Sequence, residues 1–223
     1  MGQLFKAMVG VSGIIEIRFV GISVVMGYRE SRQWRSQQTE KAFLDAFDRL
    51  LLTVSYHEAT IAGIADEARL TQGAFMSRFG SKQVALERLF DRFCQAVYQA
   101  LTEIDEGPWR RVELTTLLEH LSKTYEALVT QHWGANRAMH ELFLKTGSVS
   151  PQTKQIFKAT TVMLYQQLEA RAMAHLSPEA VFAAAQLLVT INYNYVLRAM
   201  PALPEDSEAR HALIAKLMAA ALT

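Results

Sequence analysis

A single cysteine in a chain of 223 residues, Cys94, excludes an internal disulfide and a multi-cysteine zinc site, and it suits a reducing cytoplasm. It stands in a helical pattern beside Phe90, Phe93 and Val97, which predicts a packed thiol rather than a redox sensor. The six histidines contain no i, i+4 pair and have no carboxylate or cysteine cluster around them, so no metal site is expected. Net charge is also scarce. At +1, bulk electrostatics cannot draw the chain to nucleic acid, and any DNA-binding surface must come from local clustering. The patterns G-x-G-x-x-G, G-x-x-x-x-G-K-[ST] and G-x-S-x-G are absent, which removes the commonest dinucleotide, phosphate-loop and nucleophile-elbow sites, and no enzyme or cofactor is expected. The first 27 residues are apolar and glycine-containing, yet Glu16 and Arg18 cut them well below the roughly 20 apolar residues that a membrane span needs. They also lack a small-residue cleavage site before the folded part. The expectation is that translation begins at Met26, that residues 1–25 contribute nothing to folding or DNA binding, and that no membrane is involved.

Half of the residues are hydrophobic, enough for one sizeable core or for a small domain plus a larger one. The most informative stretch is Thr60 to Lys82, TIAGIADEARLTQGAFMSRFGSK. Ile61, Ile64, Ala65 and Ala68 fall on one face of a short helix, with Thr60 placed as its N-cap. Leu70 and Thr71 interrupt that pattern. Phe75 and Phe79, four apart, then give a second helix an inward face. The opposite face carries Thr71, Gln72, Ala74, Ser77 and Arg78, and small hydrogen-bonding residues on a short helix suit entry into a major groove. Two surface helices of an all-α protein are the alternative.

These residues resemble the tetracycline-repressor-like (TetR) regulators, whose N-terminal domain is a three-helix DNA-binding unit. The resemblance runs from about Thr39 to Phe93 and is most specific from Ile64 and Ala65 through Gly73, Phe75, Phe79, Ser81 and Lys82. It implies an all-α fold: an extension over residues 1–38, a helix-turn-helix domain over 39–85, and a helical ligand-binding and dimerisation domain over 86–223. Three positions depart from the family pattern. Arg69 stands where the turn usually has glycine, and holding a non-glycine residue left-handed costs on the order of 1 kcal/mol. Ala74 replaces a common threonine, and Met76 replaces a tyrosine that commonly bonds phosphate. The resulting DNA-contact set is Thr60, Thr71, Gln72, Gly73, Ala74, Met76, Ser77, Arg78, Ser81 and Lys82. Gln72 and Arg78 are expected to read bases, and Ser81 and Lys82, at the start of the next helix, to hold phosphate.

The rest of the chain reads as helices with legible punctuation. Residues 28–38, YRESRQWRSQQ, space Arg29, Arg32 and Arg35 three apart, lining one side of a helix or reaching phosphates from an extended arm. Thr39 is expected to cap the first helix, whose Asp45 and Asp48 form a solvated face. Ser81 is expected to cap a long helix to about Glu103, broken by Gly107 and Pro108. Further helices are expected from about Val112 to His132 and from Asn136 to Lys145. Others begin at Ser150-Pro151 and Ser177-Pro178, the latter ended by Pro201 and Pro204, and a last one is capped by Ser207. The last two helices are similar to the family's dimer-forming four-helix bundle, with Ala184, Leu188, Asn192, Tyr195, Leu213 and Leu217 in the seam; completing the monomer core is the alternative. Walls for a ligand cavity are available in Trp109, His120, Tyr125, Trp133, Met139, His140, Phe143, Met163 and Gln167, with Asn136, Phe157 and Tyr165. The whole implies a cytoplasmic homodimer that binds a near-palindromic double-stranded operator and releases it for a small apolar or aromatic molecule. A helical ligand-binding or interaction protein that has lost operator recognition is the other reading.

Overall fold

The computed structural model describes residues 16–19, 22–25, 28–173, 176–197 and 203–222, with side chains from residue 33 onward. The helices are α1 (Tyr28–Leu51), α2 (Ile61–Ala68), α3 (Gln72–Phe79), α4 (Lys82–Glu106), α5 (Leu114–Gln131), α6 (Trp133–Thr146), α7 (Pro151–Glu169), α8 (Pro178–Val196) and α9 (Ser207–Ala221), with a 3₁₀ turn at Pro108–Arg111 before α5. The expected all-α fold is present. It is preceded by a strand pair that the sequence reading did not contain: β1 (Glu16–Phe19) and β2 (Ile22–Val25) run antiparallel, with Glu16 opposite Val25 and Phe19 opposite Ile22. Their Ile, Val and Phe content favours strand over helix.

The helix starts follow from side-chain oxygens that satisfy orphan backbone donors. Ser81 Oγ accepts from Val84 N–H at 3.2 Å, Ser150 Oγ from Thr153 N–H at 3.1 Å and Ser177 Oγ from Ala180 N–H at 3.1 Å. Pro151 and Pro178 open the last two of these helices, where a missing N–H costs nothing. Two expected caps are displaced. Thr39 lies well inside α1, where its hydroxyl donates to the Arg35 carbonyl at 2.9 Å, and the helix begins eleven residues earlier at Tyr28. Asp206, not Ser207, caps α9, accepting from Ala209 N–H at 2.7 Å; its carboxylate also complements the positive end of the helix dipole. The expected stop at Pro201 lies outside the described residues.

Buried apolar side chains form one continuous cluster through the whole molecule. It begins with Phe43 and Phe47 of α1 against Phe75 and Phe79 of α3; the Phe43 and Phe75 rings meet edge-on at 5.3 Å between centroids. It continues through Leu86, Leu89 and Phe93 of α4 into α5, α8 and α9, which pack mainly on one another. Between these last three helices lies a polar tie. Ser122 Oγ is 3.1 Å from Asn192 Oδ1 and 2.8 Å from His211 Nδ1, all buried, and Arg210 clasps Glu126 through two bonds of 2.8 and 3.0 Å.

A second junction sits between α1 and α6. The Asp48 carboxylate of α1 faces the Ala135 N–H, an orphan donor in the first turn of α6, and its Oδ1 is buried without a hydrogen-bond partner. Asp48 is therefore not on a solvated face: burial raises its pKa, and the nearby His132 and the Ala135 N–H only partly offset this. Glu141 of α6 accepts from Tyr56 N–H at 2.9 Å, and Arg137 bonds both Glu141 at 3.0 Å and the Leu51 carbonyl at 3.5 Å. Gly134 permits the close approach, because a Cβ there would lie 2.8 Å from the Asp48 carbonyl oxygen. Among the described residues, no helix is long and apolar enough to cross a membrane.

Candidate nucleic-acid interface and ligand cavity

α2 and α3 are joined by three residues and capped on both sides. Thr60 Oγ1 accepts from Gly63 N–H at 2.9 Å, and Thr71 Oγ1 from Ala74 N–H at 3.1 Å. Arg69 takes the left-handed conformation expected of it, φ 55° and ψ 40°, and ends α2 by donating its N–H to the Asp66 carbonyl at 3.0 Å. The backbone thus adopts the turn without glycine, at the local strain cost given above. Phe75 and Phe79 are buried, and Gln72, Gly73, Met76 and Ser77 are exposed on the opposite side of α3, with Ala74 half-buried at its edge. These five form an outward face with one amide, one hydroxyl, one thioether and no charge.

Two residues assigned to DNA are spent inside the protein. Arg78 turns back to α1: Nη2 donates to the Ser36 carbonyl at 2.8 Å and contacts the Ser36 hydroxyl, and Nη1 lies 3.5 Å from Glu40. It fixes α3 on α1 rather than projecting toward a base. Lys82 donates to the Tyr56 and Ala59 carbonyls at 2.7 and 2.6 Å and sits 4.4 Å from the centroid of the Tyr56 ring. Burial lowers its pKa, and its three donors are largely committed to the loop after α1. The hydroxyls of Thr60, Thr71 and Ser81 serve as helix caps, each still able to donate its own proton outward. Periodicity cannot tell a cation aimed at solvent from one folded back on a carbonyl.

A cavity of about 250 Å³ lies between α4, α5, α6, α7 and α8. From the expected wall it brings together Tyr125, Met139, His140, Phe143 and Phe157. It adds Phe90 and Phe93 of α4, Ile156 and Thr153 of α7, Val189, Thr190, Tyr193 and Asn194 of α8, and the connection at Ser148, Val149 and Ser150. Sequence reasoning placed Phe90 and Phe93 on the inward stripe of α4, since an inward-facing residue beside a void has the same periodicity as one beside a neighbour, and read Ser150 only as a helix cap. None of the lining residues is Lys, Arg, Asp or Glu. Tyr193 donates to the Asn136 carbonyl at 2.7 Å, and burial pushes the Tyr125 and Tyr193 hydroxyls up, so both remain neutral donors.

The other expected wall residues lie elsewhere. Trp109 stacks on His120 with centroids 3.9 Å apart, and Arg171 bonds the Trp109 carbonyl. Trp133 packs under the Arg137 guanidinium, 5.1 Å away. Gln167 is buried and donates to Asp105 at 3.0 Å, and Met163 fills the core near the other end of α4. The expected dimer set divides. Ala184, Leu188 and Asn192 are buried within this one chain, Asn192 through its bond to Ser122, so they cannot form a seam with a second copy. Tyr195 is half-buried under Arg210, 3.9 Å away, and Leu213 is half-buried. Leu217, 40% exposed, does face outward, as does Phe182 at 43%, which the sequence reading missed. Cys94 is buried as expected, and burial pushes its thiol up to about 12.

Residues 43–89 match the family model described as bacterial regulatory proteins, tetR family. No curated protein sequence matches the chain. Among solved structures, a TetR transcription regulator from Haloarcula marismortui is 13% identical, with 83% of this chain and 97% of that one covered and a TM-score of 0.63. FadR from Bacillus subtilis, solved in complex with stearoyl-CoA, is 15% identical over 82% and 99% of the two chains, with a TM-score of 0.61. NalD from Pseudomonas aeruginosa, the secondary repressor of the MexAB-OprM multidrug efflux pump, is 17% identical over 85% and 98%, with a TM-score of 0.57. Residues 43–89 thus match the tetR family model as a helix-turn-helix, and the helical body that carries them has the fold of those solved regulators.

Proposed function

We propose that the chain is a homodimeric transcriptional repressor whose operator affinity falls when a small neutral molecule enters the cavity. The observation that carries this is the double connection between cavity and reading head. Phe90 and Phe93 line the cavity from α4, whose first residue, Lys82, grips the loop before α2. Met139, His140 and Phe143 line it from α6, which meets α1 at Asp48 and through Arg137, and the loop after α1 through Glu141. The sequence reading had only the α4 link. A ligand that displaces α4 relative to α6 tilts the helix-turn-helix, and in a dimer this changes the spacing of two recognition helices that must match one face of the duplex.

Exposed α3 residues, Gln72 foremost, would read the bases, and the outward faces of α8 and α9 around Phe182 and Leu217 would form the dimer. The cavity lining selects an uncharged, mainly apolar ligand with one or two hydrogen-bonding groups, because an ion would find no countercharge there. FadR and NalD bear on this as similar folds, one holding an acyl-CoA and one a repressor of an efflux pump. Thermodynamic linkage supplies the test. Neutral aromatic compounds should be screened by titration calorimetry, and each binder titrated again with operator duplex present. Ligand and DNA should weaken each other by the same factor, about 5 to 150. Binding of either that is indifferent to the other would leave a constitutive DNA binder and sink ligand control.

A further inference from the structure

DNA binding needs cations at the phosphates, and the reading head has few to offer. Arg78 is tied to Ser36 and Glu40, Lys82 to two carbonyls, Arg49 to Glu67 at 2.8 Å, and both Lys41 and Arg92 to Asp45 at 2.6 and 2.7 Å. Among the described side chains of α1 to α3, Arg35 and Arg69 are exposed and take part in no such ion pair. Arg35 belongs to a set. Residues 28–38 carry three arginines, at positions 29, 32 and 35, and one glutamate, Glu30. This segment is continuous helix with the rest of α1, so its backbone positions keep a fixed register with Ser36 and Glu40.

The bond from Arg78 identifies which side of α1 lies against the C-terminal end of α3: the side of Ser36 and Glu40. At about 100° per residue, positions 29 and 32 fall within about 40° of Ser36 on that same side, roughly 6 to 10 Å further along the axis. Position 35 stands about 100° away and Glu30 about 120° away in the opposite sense, off this face. The helix thus continues past the point where it holds α3, and positions 29 and 32 share the register of Ser36 and Glu40. Nothing else among the described residues gives a comparable density of positive charge beside the reading head.

We propose that the first three turns of α1, residues 28–38, bind the phosphate backbone of duplex DNA beside the groove that α3 enters. This rests on the DNA-binding reading and adds to it where the electrostatic part of the affinity originates. The interaction is charge-based and sequence-independent, so it supplies affinity and leaves base discrimination to α3.

The test compares the full chain with Arg29→Ala/Arg32→Ala/Arg35→Ala on a random-sequence duplex and on an operator duplex over a range of salt. Each phosphate that is no longer neutralised flattens the slope of log K against log[salt] by about 0.9. With up to three arginines removed from each protomer, the slope should become shallower by about 2 to 5 on both duplexes. Affinity near 0.15 M salt should fall at least tenfold, while the operator-to-random ratio stays unchanged. The triple Arg→Lys variant should restore the slope, and helix content by circular dichroism controls for loss of α1. Arg110→Ala/Arg111→Ala, on the exposed turn before α5, should leave the slope as it was. A triple-alanine slope within one of the parent's, or a lysine variant no better than alanine, would overturn the proposal. If the parent binds random duplex through these arginines but no operator exists, the phosphate interaction stands and the repressor reading fails. If the parent binds neither duplex, both fall.

Discussion

At the scale of single residues, function depends on whether a side chain points out or has been claimed by the fold. Gln72 is exposed at the start of α3, so Gln72→Ala should lose roughly 1 to 3 kcal/mol of discrimination at one base pair and leave thermal stability unchanged. Arg78→Ala should behave in the opposite way. It frees α3 from Ser36 and Glu40, lowering stability by about 1 kcal/mol and weakening all DNA sequences alike. Competition binding on single-base operator variants, together with melting curves, separates the two. His211 makes a pH prediction. Burial lowers its pKa, outweighing the upward pull of Glu126, while Arg210 and Lys123 add to the lowering. The unfolded chain therefore takes up a proton before the folded one does. The contribution of His211 is fully present above its unfolded value of about 6.5 and is lost as pH falls below it. His120 and His132 shift in the same direction, each chiefly through burial. Melting temperature should drop between pH 7.5 and 5.5, and less so in His211→Gln; an equal drop in that variant would show that His211 is not responsible. Whether a residue belongs to a helix was legible from apolar spacing. Whether Arg78 and Lys82 faced water was not, because that depends on where Ser36, Tyr56 and Ala59 arrive in space.

Elements were legible wherever their ends are chemically marked. Thr60, Ser81, Ser150 and Ser177 cap the helices expected of them, Thr71, read only as a groove-facing residue, caps α3, and the left-handed residue falls at Arg69 without any glycine. The start of α1 was misread because Thr39 is a good cap residue whose hydroxyl bonds equally well to a carbonyl one turn back. The docking of α6 on α1 left no sequence signal at all, since it depends on Gly134 being small and on Asp48 standing opposite a helix N-terminus. It is nonetheless testable. A Cβ at position 134 would sit 2.8 Å from backbone and side-chain oxygens of Asp48 and 3.0 Å from Leu51 Cβ. Gly134→Ala should cost about 1 to 3 kcal/mol, read as a fall in melting temperature, and should reduce the ligand–DNA coupling factor. Unchanged stability and coupling would mean that α1 and α6 are not mechanically joined there. The α8 and α9 faces give a further expectation. Leu217→Arg and Phe182→Arg place charge on surfaces already exposed in one chain, so they should convert the proposed dimer to folded monomer. Leu188→Arg should unfold the chain, because Leu188 is 1% exposed in its own core. Sedimentation combined with circular dichroism distinguishes these outcomes, and a dimeric Phe182→Arg/Leu217→Arg variant would place the seam elsewhere.

For the whole molecule, one cluster of buried apolar side chains among the described residues runs from the reading head to α9. The proposed function has motion at the cavity carried to α3 through α4 and α6, which both line the cavity and contact the helix-turn-helix unit. In the proposed function, a cavity without charged lining couples a neutral ligand to a reading head whose α3 face carries no charge, and the arginines of residues 28–38 supply the electrostatic part of the DNA affinity. Selection of bound duplexes from a random library by the full-length protein, followed by sequencing, tests this most directly. The account predicts enrichment of a near-palindrome with half-sites about one helical turn or a small multiple apart, with one position in each half-site relaxed by Gln72→Ala and all enrichment lost in the monomeric Phe182→Arg/Leu217→Arg variant. Failure of the parent protein to enrich any sequence over the starting pool would contradict it.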